Sequence, residues 1–258
     1  MGRYKKEVIS PDFQVCKPQI DYAIGHFNRL GHKVGKGKRN MVKHIVVDDM
    51  HLNVKSFKVP NIINKLVYRY FRKSKAQRSY EYARYLLQRD IGTPPPVAYM
   101  EERSFFSLGR SYYISIHLKE DLTFRTLIDD PGLQDRELIL RQFMHFTHRL
   151  HENNILFLDH SPGNTLIVKR DDGDYDFYLV DLNRMKLHCR MDAEKRIKNL
   201  ARLSATDDMI EIMSDEYARI TGLEQAWVYD RIRDYTRENL QRRARQKKIN
   251  KNLGKYRQ

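Results

Sequence analysis

The chain has 258 residues, 41% of them hydrophobic, enough to bury a substantial core as one large domain or as two lobes folding together; this excludes a disordered polymer. Lysine and arginine number 48 against 33 aspartates and glutamates, a formal balance of +15 that favours nucleic acid, nucleotide phosphates or an acidic membrane face as partner. Cys16 and Cys189 lie outside any C-x-x-C spacing, so neither a disulfide framework nor a thiolate zinc site is expected, and a reducing cytoplasm fits. The N-terminus lacks the apolar run of a signal peptide, and Lys6 stands where myristoylation needs Ser or Thr. No stretch approaches the ~20 apolar residues of a membrane span, so any contact with a bilayer is expected to be peripheral.

In chain order, the pattern up to about Gly31 is mixed and weak. The glycine- and lysine-rich residues 30–40 then read as a turn between strands, with antiparallel strands over 41–47 and 51–59 joined by a turn at Asp48, Asp49 and Met50. Residues 61–89 change to a helical period, which Ile91-Gly92-Thr93-Pro94-Pro95-Pro96 breaks before strand character resumes over 97–100 and 112–116. From about Leu122 the chain reads as mainly helical, interrupted by one strand pair, 165–169 and 177–180, around the turn Asp171-Asp172-Gly173-Asp174. Strands first and helices later imply α+β. The tail from Arg242 onward carries basic residues and no acidic one, and is expected to be solvated, helical at its start and frayed beyond.

The strongest chemical signal is Asp159-His160-Ser161-Pro162-Gly163-Asn164, followed by the hairpin and by Leu179-Val180-Asp181. Phosphoryl transfer needs a carboxylate to orient and deprotonate the acceptor hydroxyl, and hard oxygen ligands to hold Mg²⁺ across nucleotide phosphates. D-x-x-x-x-N followed by an Asp meets both needs. Alone, those residues could equally make a turn and a cap. Further pieces stand in the order a kinase requires: Lys55 in the alternating stretch Leu52-Asn53-Val54-Lys55-Ser56-Phe57, Glu81 on the following helix, and Gly35 and Gly37 upstream as a phosphate-covering loop. Lys55 also reads as a solvated strand lysine, and Glu81 as a helix residue pairing with Arg78 or Arg84.

In this order and local wording the chain resembles the lipopolysaccharide kinases of the Kdo/WaaP type, a branch of the protein-kinase-like superfamily. The resemblance spans about residues 31–222, through Lys55-Ser56-Phe57-Lys58, Arg78-Ser79-Tyr80-Glu81, Gly92-Thr93-Pro94, Asp159 to Asn164, and Val180-Asp181-Leu182-Asn183-Arg184. It implies Lys55 as the phosphate-binding lysine, Glu81 as its partner, Asp159 as the catalytic base, and Asn164 and Asp181 as magnesium ligands. Phe157-Leu158 stand where many kinases have His-Arg, which argues against control by activation-loop phosphorylation, and Leu182-Asn183 stand where protein kinases have Phe-Gly, which argues against a eukaryotic-type protein kinase. The glycines Gly31, Gly35 and Gly37 do not fit G-x-G-x-x-G.

Two weaker signals accompany these. Ile62, Ile63, Leu66, Val67, Tyr70 and Phe71 share one helical face with Lys65, Arg69, Arg72 and Lys73 largely opposite, a basic amphipathic helix that either packs on the small lobe or lies on an anionic membrane. His145, His148 and His151 recur every third residue, a spacing that drifts around a helix and argues against zinc, leaving His151 as support for the catalytic loop.

The resulting expectation is an α+β, bilobal protein-kinase-like fold: a small β-rich N-terminal lobe over 1–117, a mainly helical catalytic lobe over 118–241, and a basic tail over 242–258. By resemblance, the chain is an ATP- and Mg²⁺-dependent kinase for a hydroxyl of a lipid-linked inner-core sugar, Kdo or heptose, at the cytoplasmic face of a bacterial inner membrane. An anionic membrane surface is a further expected partner; nucleic acid is not. The oligomeric state is open. Two other readings are a kinase for a soluble small molecule or protein, and a catalytically silent basic module for RNA or membranes.

Overall fold

The structure, a computed structural model, describes residues 4–34, 40–57, 73–103 and 108–255, with side chains as far as residue 249. Gly35, Gly37 and the amphipathic helix expected over 61–73, except Lys73, lie outside the described residues. Two compact units form, Met1–Lys119 with Asp181–Asn183, and Glu120–Val180 with Arg184–Gln258.

The first unit contains β1 (Tyr4–Ile9), α1 (Lys17–Gly25), β2 (His32–Lys33), β3 (Asn40–Val47), β4 (Met50–Phe57), α2 (Lys75–Leu87), β5 (Pro96–Arg103) and β6 (Leu108–Ile116). Among the described residues the strands make one antiparallel sheet in the order β1-β5-β6-β4-β3-β2. Alternation along β4 decides which side chains go where. Leu52 and Val54 face a core shared with Ile45, Met100 and Ile114 and closed by Ile20, Ala23 and Phe27 from the α1 region. Phe57 faces the other way, onto Ala76 and Tyr80 of α2 together with Tyr99. Lys55, two residues before Phe57, shares that second face by period. Ser74 starts α2, its Oγ accepting from the Gln77 amide at 3.0 Å.

The strand β1 and the helix α1 fall where the sequence pattern was weak. The reason for β1 lies in its pairing: it runs antiparallel to β5 over its whole length, from Tyr4 opposite Arg103 to Ile9 opposite Ala98, and only Ile9 is buried, so the backbone ladder rather than an apolar stripe holds this edge strand. Just beyond α1, the chain turns at 27–30 around the buried Lys43, whose Nζ donates to the carbonyls of Phe27 at 2.8 Å and Leu30 at 2.7 Å.

The second unit contains β7 (Leu122–Thr123), α3 (Phe124–Asp129), α4 (Arg136–Glu152), β8 (Leu156–Phe157), β9 (Thr165–Lys169), β10 (Tyr175–Leu179), β11 (Met185–Lys186), α5 (Ala193–Leu200), α6 (Asp207–Thr221) and α7 (Gln225–Lys255). The strands β9 and β10 form the expected hairpin, its turn closed by the Arg170 amide donating to the Asp174 carbonyl at 2.7 Å. Phe143 of α4 packs against Phe124 and Phe177, with ring centroids 4.8 and 5.5 Å away, and so ties α4 to α3 and the hairpin. The basic tail is helical at its start, and α7 runs on to Lys255, its exposed residues 241–249 rich in Arg, Gln and Lys, which hold a helix well in water.

Gly31 adopts φ +72°, and a Cβ there would lie 2.3 Å from the His44 carbonyl oxygen on β3. Backbone cannot yield as a flexible side chain can. Gly31→Ala is therefore expected to cost at least about 1–3 kcal/mol, read as a lowered melting temperature in thermal denaturation.

Candidate active site

Each unit carries part of the set of residues singled out above. In the first, Lys55 sits mid-strand, opposite Val42 on β3 and Tyr113 on β6. Its Nζ lies 2.7 Å from Asp181 Oδ1, with 13% and 33% of the two side chains exposed. Asn183 Nδ2 donates to the same Oδ1. Both contacts fall on one carboxylate oxygen, and Oδ2 of Asp181 has no hydrogen-bond partner among the described residues. The Asp181 backbone is left-handed, φ +59°, a conformation that Asp tolerates better than most residues.

The anticipated Lys55–Glu81 pair is not formed. Glu81 instead accepts from Lys73 at 2.7 Å and from Gln77 at 2.9 Å, one bond on each of its oxygens. Helical spacing explains Gln77, four residues earlier on α2. Lys73 stands just before the Ser74 cap.

In the second unit, the loop that begins after β8 is folded on itself. The Asp159 carbonyl accepts from the Ser161 amide at 2.6 Å and from Asn164 Nδ2 at 2.8 Å. The Asn164 carbonyl accepts from the Val180 amide at 3.0 Å, joining the loop to the strand that precedes Asp181 in the chain. With Nδ2 committed, Asn164 presents its amide oxygen as the remaining ligand atom. Magnesium in nucleotide sites uses one or two protein oxygens and completes its shell with phosphates and water. Taken separately, the amide oxygen of Asn164 in the second unit and the carboxylate of Asp181 in the first are oxygens of the hard type that such sites use, and no group of three or more His, Cys, Asp or Glu suited to a metal occurs among the described residues.

Asp159 is flanked by two guanidinium groups, Arg202 at 3.6 Å and Arg184 at 3.8 Å, one on each carboxylate oxygen. Arg202 had no signal in the sequence: it lies in the short 3-10 turn Ala201–Leu203, far along the chain from any motif.

Behind the loop runs a buried chain of hydrogen bonds. Asn199 Nδ2 donates to the Phe157 carbonyl at 2.8 Å, which fixes its Oδ1 as an acceptor for His151 Nε2 at 3.4 Å. His151 Nδ1 then accepts from the Tyr217 hydroxyl at 2.9 Å. The row of histidines thus splits among separate partners, His145 meeting Glu216 at 2.7 Å and His148 lying 3.5 Å from Glu152. Burial pushes His151 down to about 3 and His160 down to about 4, so both are neutral near pH 7.

A sequence model of the lipopolysaccharide kinase (Kdo/WaaP) family matches residues 34–222 of the chain. Among solved structures the chain is similar to WaaP in complex with acyl carrier protein, with 15% identity and a TM-score of 0.62, covering 89% of this chain and 99% of that one. A fainter likeness, TM-score 0.43 and 14% identity over 61% of this chain and 49% of the other, is to a Stt7 homolog from Micromonas algae soaked with ATP. No curated protein matches the chain. The likeness to WaaP and the strand-then-helix order establish the α+β, protein-kinase-like fold.

Neutral burial of His151 and His160 gives a signed pH dependence. Their folded-state pKa values lie below the unfolded value near 6.5, so the unfolded chain gains protons first as pH falls. The stability they contribute is present above about pH 6.5 and drains away toward pH 3–4, by roughly 1.4 kcal/mol per pH unit for each histidine. Denaturant titrations between pH 7.5 and 5.5, above the carboxylate range, should show this loss. His160 already packs between the rings of Phe143 and Phe157, so His160→Phe should roughly halve the slope.

Proposed function

Because the chain belongs to the lipopolysaccharide kinase (Kdo/WaaP) family, we propose that it transfers the γ-phosphoryl group of ATP to a hydroxyl of an inner-core lipopolysaccharide sugar, Kdo or heptose. The observation that carries the assignment of roles is the 2.7 Å pair between Lys55 and Asp181, residues 126 positions apart that sequence order alone had nominated for the nucleotide.

In this reading Asp159 accepts a hydrogen bond from the acceptor hydroxyl and takes its proton as the oxygen attacks phosphorus. Lys55 serves the α and β phosphates, and Asp181 and Asn164 supply oxygen ligands to magnesium. Bound there, Mg²⁺ neutralises charge developing on the phosphates. The bond between Asn164 Nδ2 and the Asp159 carbonyl keeps base and ligand in one fixed loop, so neither must be ordered as the reaction begins. Glu81, held by Lys73 and Gln77, is the partner proposed for Lys55 when that lysine serves phosphate. Gly35 and Gly37 are proposed to cover the phosphates.

No helix among the described residues is long and apolar enough to cross a membrane. The exposed cations of α7, Arg242, Arg243, Arg245, Lys247 and Lys248, support peripheral attachment to an anionic cytoplasmic leaflet, each well-placed charge contributing ~1 kcal/mol.

Incubation with labelled ATP, Mg²⁺ and lipid A carrying Kdo, with and without heptose, should place label on the glycolipid; label on protein alone would overturn the acceptor. Asp159→Ala is expected to lower turnover by about 10²–10⁴-fold and to leave ATP stabilisation in a thermal shift intact, since the base acts on the acceptor. Asp181→Ala should instead abolish the part of that stabilisation that requires Mg²⁺. A wild-type chain that ATP and Mg²⁺ do not stabilise would point to the silent binding module.

A further inference from the structure

Next to Asp159, wholly within the second unit, lies a cavity of about 230 Å³ walled by Leu156, Leu158 and Tyr235. Its charge is one-sided. Lys195, Lys198, Arg202 and Arg242 line it against a single carboxylate, Glu238. Lys195 is partly spoken for, donating to the Arg190 carbonyl at 2.6 Å with Asp192 at 3.8 Å. Lys198 and Arg242 form no ion pair among the described residues; Lys198 Nζ lies 4.9 Å from the centre of the Tyr235 ring.

Arg202 links the cavity to the catalytic loop. Its guanidinium lies 3.6 Å from Asp159, while its Nε is buried without a hydrogen-bond partner. Burial lowers its pKa; Asp159 opposes that shift, and the charges of Arg243, Arg184 and Arg242 add to it. Two carboxylates, Asp159 and Glu238, thus answer Arg184, Arg202, Arg242, Lys195 and Lys198, an excess of positive charge that an additional anion would relieve. The geometry of guanidinium suits a two-oxygen anion, and the apolar walls suit a ring bearing one. The volume falls short of the ~300–1,000 Å³ that encloses a whole drug-sized ligand, so the space takes one group of a larger molecule.

We infer that this cavity receives the carboxylate or phosphate oxyanion of the acceptor sugar and thereby seats the acceptor against Asp159, an inference that rests on the acceptor class proposed above. The anion is held by Lys198, Arg202 and Arg242, and the hydroxyl to be phosphorylated lies on the same sugar or its neighbour. Substrates without a negative charge near that hydroxyl are selected against, because the cluster then stays unneutralised.

The test is calorimetric titration of the full chain at low ionic strength with free Kdo, Kdo methyl ester and inorganic phosphate, in the wild type and in the Lys198→Ala, Arg242→Ala double variant. Both substitutions are at the surface and leave Asp159 and its loop in place. The wild type is expected to bind Kdo about tenfold or more tightly than the ester, and the double variant to lose about tenfold of that affinity. Competition by phosphate identifies a general oxyanion site, and its absence a carboxylate-selective one. Equal Kdo affinity in wild type and double variant, or no measurable binding of any probe, overturns the inference. If Kdo binds in the expected charge-dependent way yet no label reaches lipid A carrying Kdo, the acceptor assignment fails and the oxyanion pocket stands. If label does transfer but the double variant binds Kdo as the wild type does, the pocket alone is lost.

Discussion

A backbone carbonyl buried in an apolar core must find a donor, and at Phe157 this requirement organises the second unit. Phe157 is fully buried, and leaving its carbonyl unmet would cost about 1–3 kcal/mol. Asn199 meets it from α5, which obliges the other end of the same amide to accept from His151 on α4, whose second nitrogen accepts from Tyr217 on α6. Three helices are thereby referenced to one strand residue, two positions before Asp159. Since each member of the chain is fully committed and His151 is neutral, the network carries no buried charge that would need compensation.

From that anchored start the loop is shaped by its own polar groups. The Asp159 carbonyl collects two donors, the Asn164 carbonyl collects the Val180 amide, and the Leu158 amide donates to the Arg184 carbonyl at 2.9 Å beside the short β8–β11 ladder. The result is a loop closed at both ends, with its carboxylate toward arginines and away from the core. Arg184 and Arg202 sit at distances of 3.8 and 3.6 Å, too long for strong hydrogen bonds, so they act on Asp159 mainly as a field. Arg202 also lines the neighbouring cavity, so the same positive field extends over it.

The first unit solves a different problem: a lysine must be presented on a strand without being lost to solvent. Period-two alternation places Lys55 on the face where α2 packs, while Leu52 and Val54 close the opposite core. Another strand lysine, Lys43, is used quite otherwise, buried and satisfied by the carbonyls that follow α1. Two lysines twelve residues apart on paired strands thus differ in role because their carbonyl and carboxylate neighbours differ. Glu81 shows the converse, a residue nominated for Lys55 whose two oxygens are taken by Lys73 and Gln77.

The amino-acid sequence by itself determined the strand-then-helix order, the 165–179 hairpin, the break after α2 and the nomination of Lys55, Glu81, Asp159, Asn164 and Asp181, because each depends on residues within a few positions of one another or on motif order. The start of the chain carries little local signal because β1 is fixed by pairing with a strand nearly a hundred residues away, and a run of charges by itself does not show how far the last helix extends. Only the tertiary structure decided that Lys55 meets Asp181, that Glu81 does not meet Lys55, that Arg184 and Arg202 flank Asp159, and that a cationic cavity lies beside it. Periodicity and spacing report which face a side chain occupies; they carry no information about which distant charge will be brought within a few ångströms of it, and electrostatic energy depends on that distance.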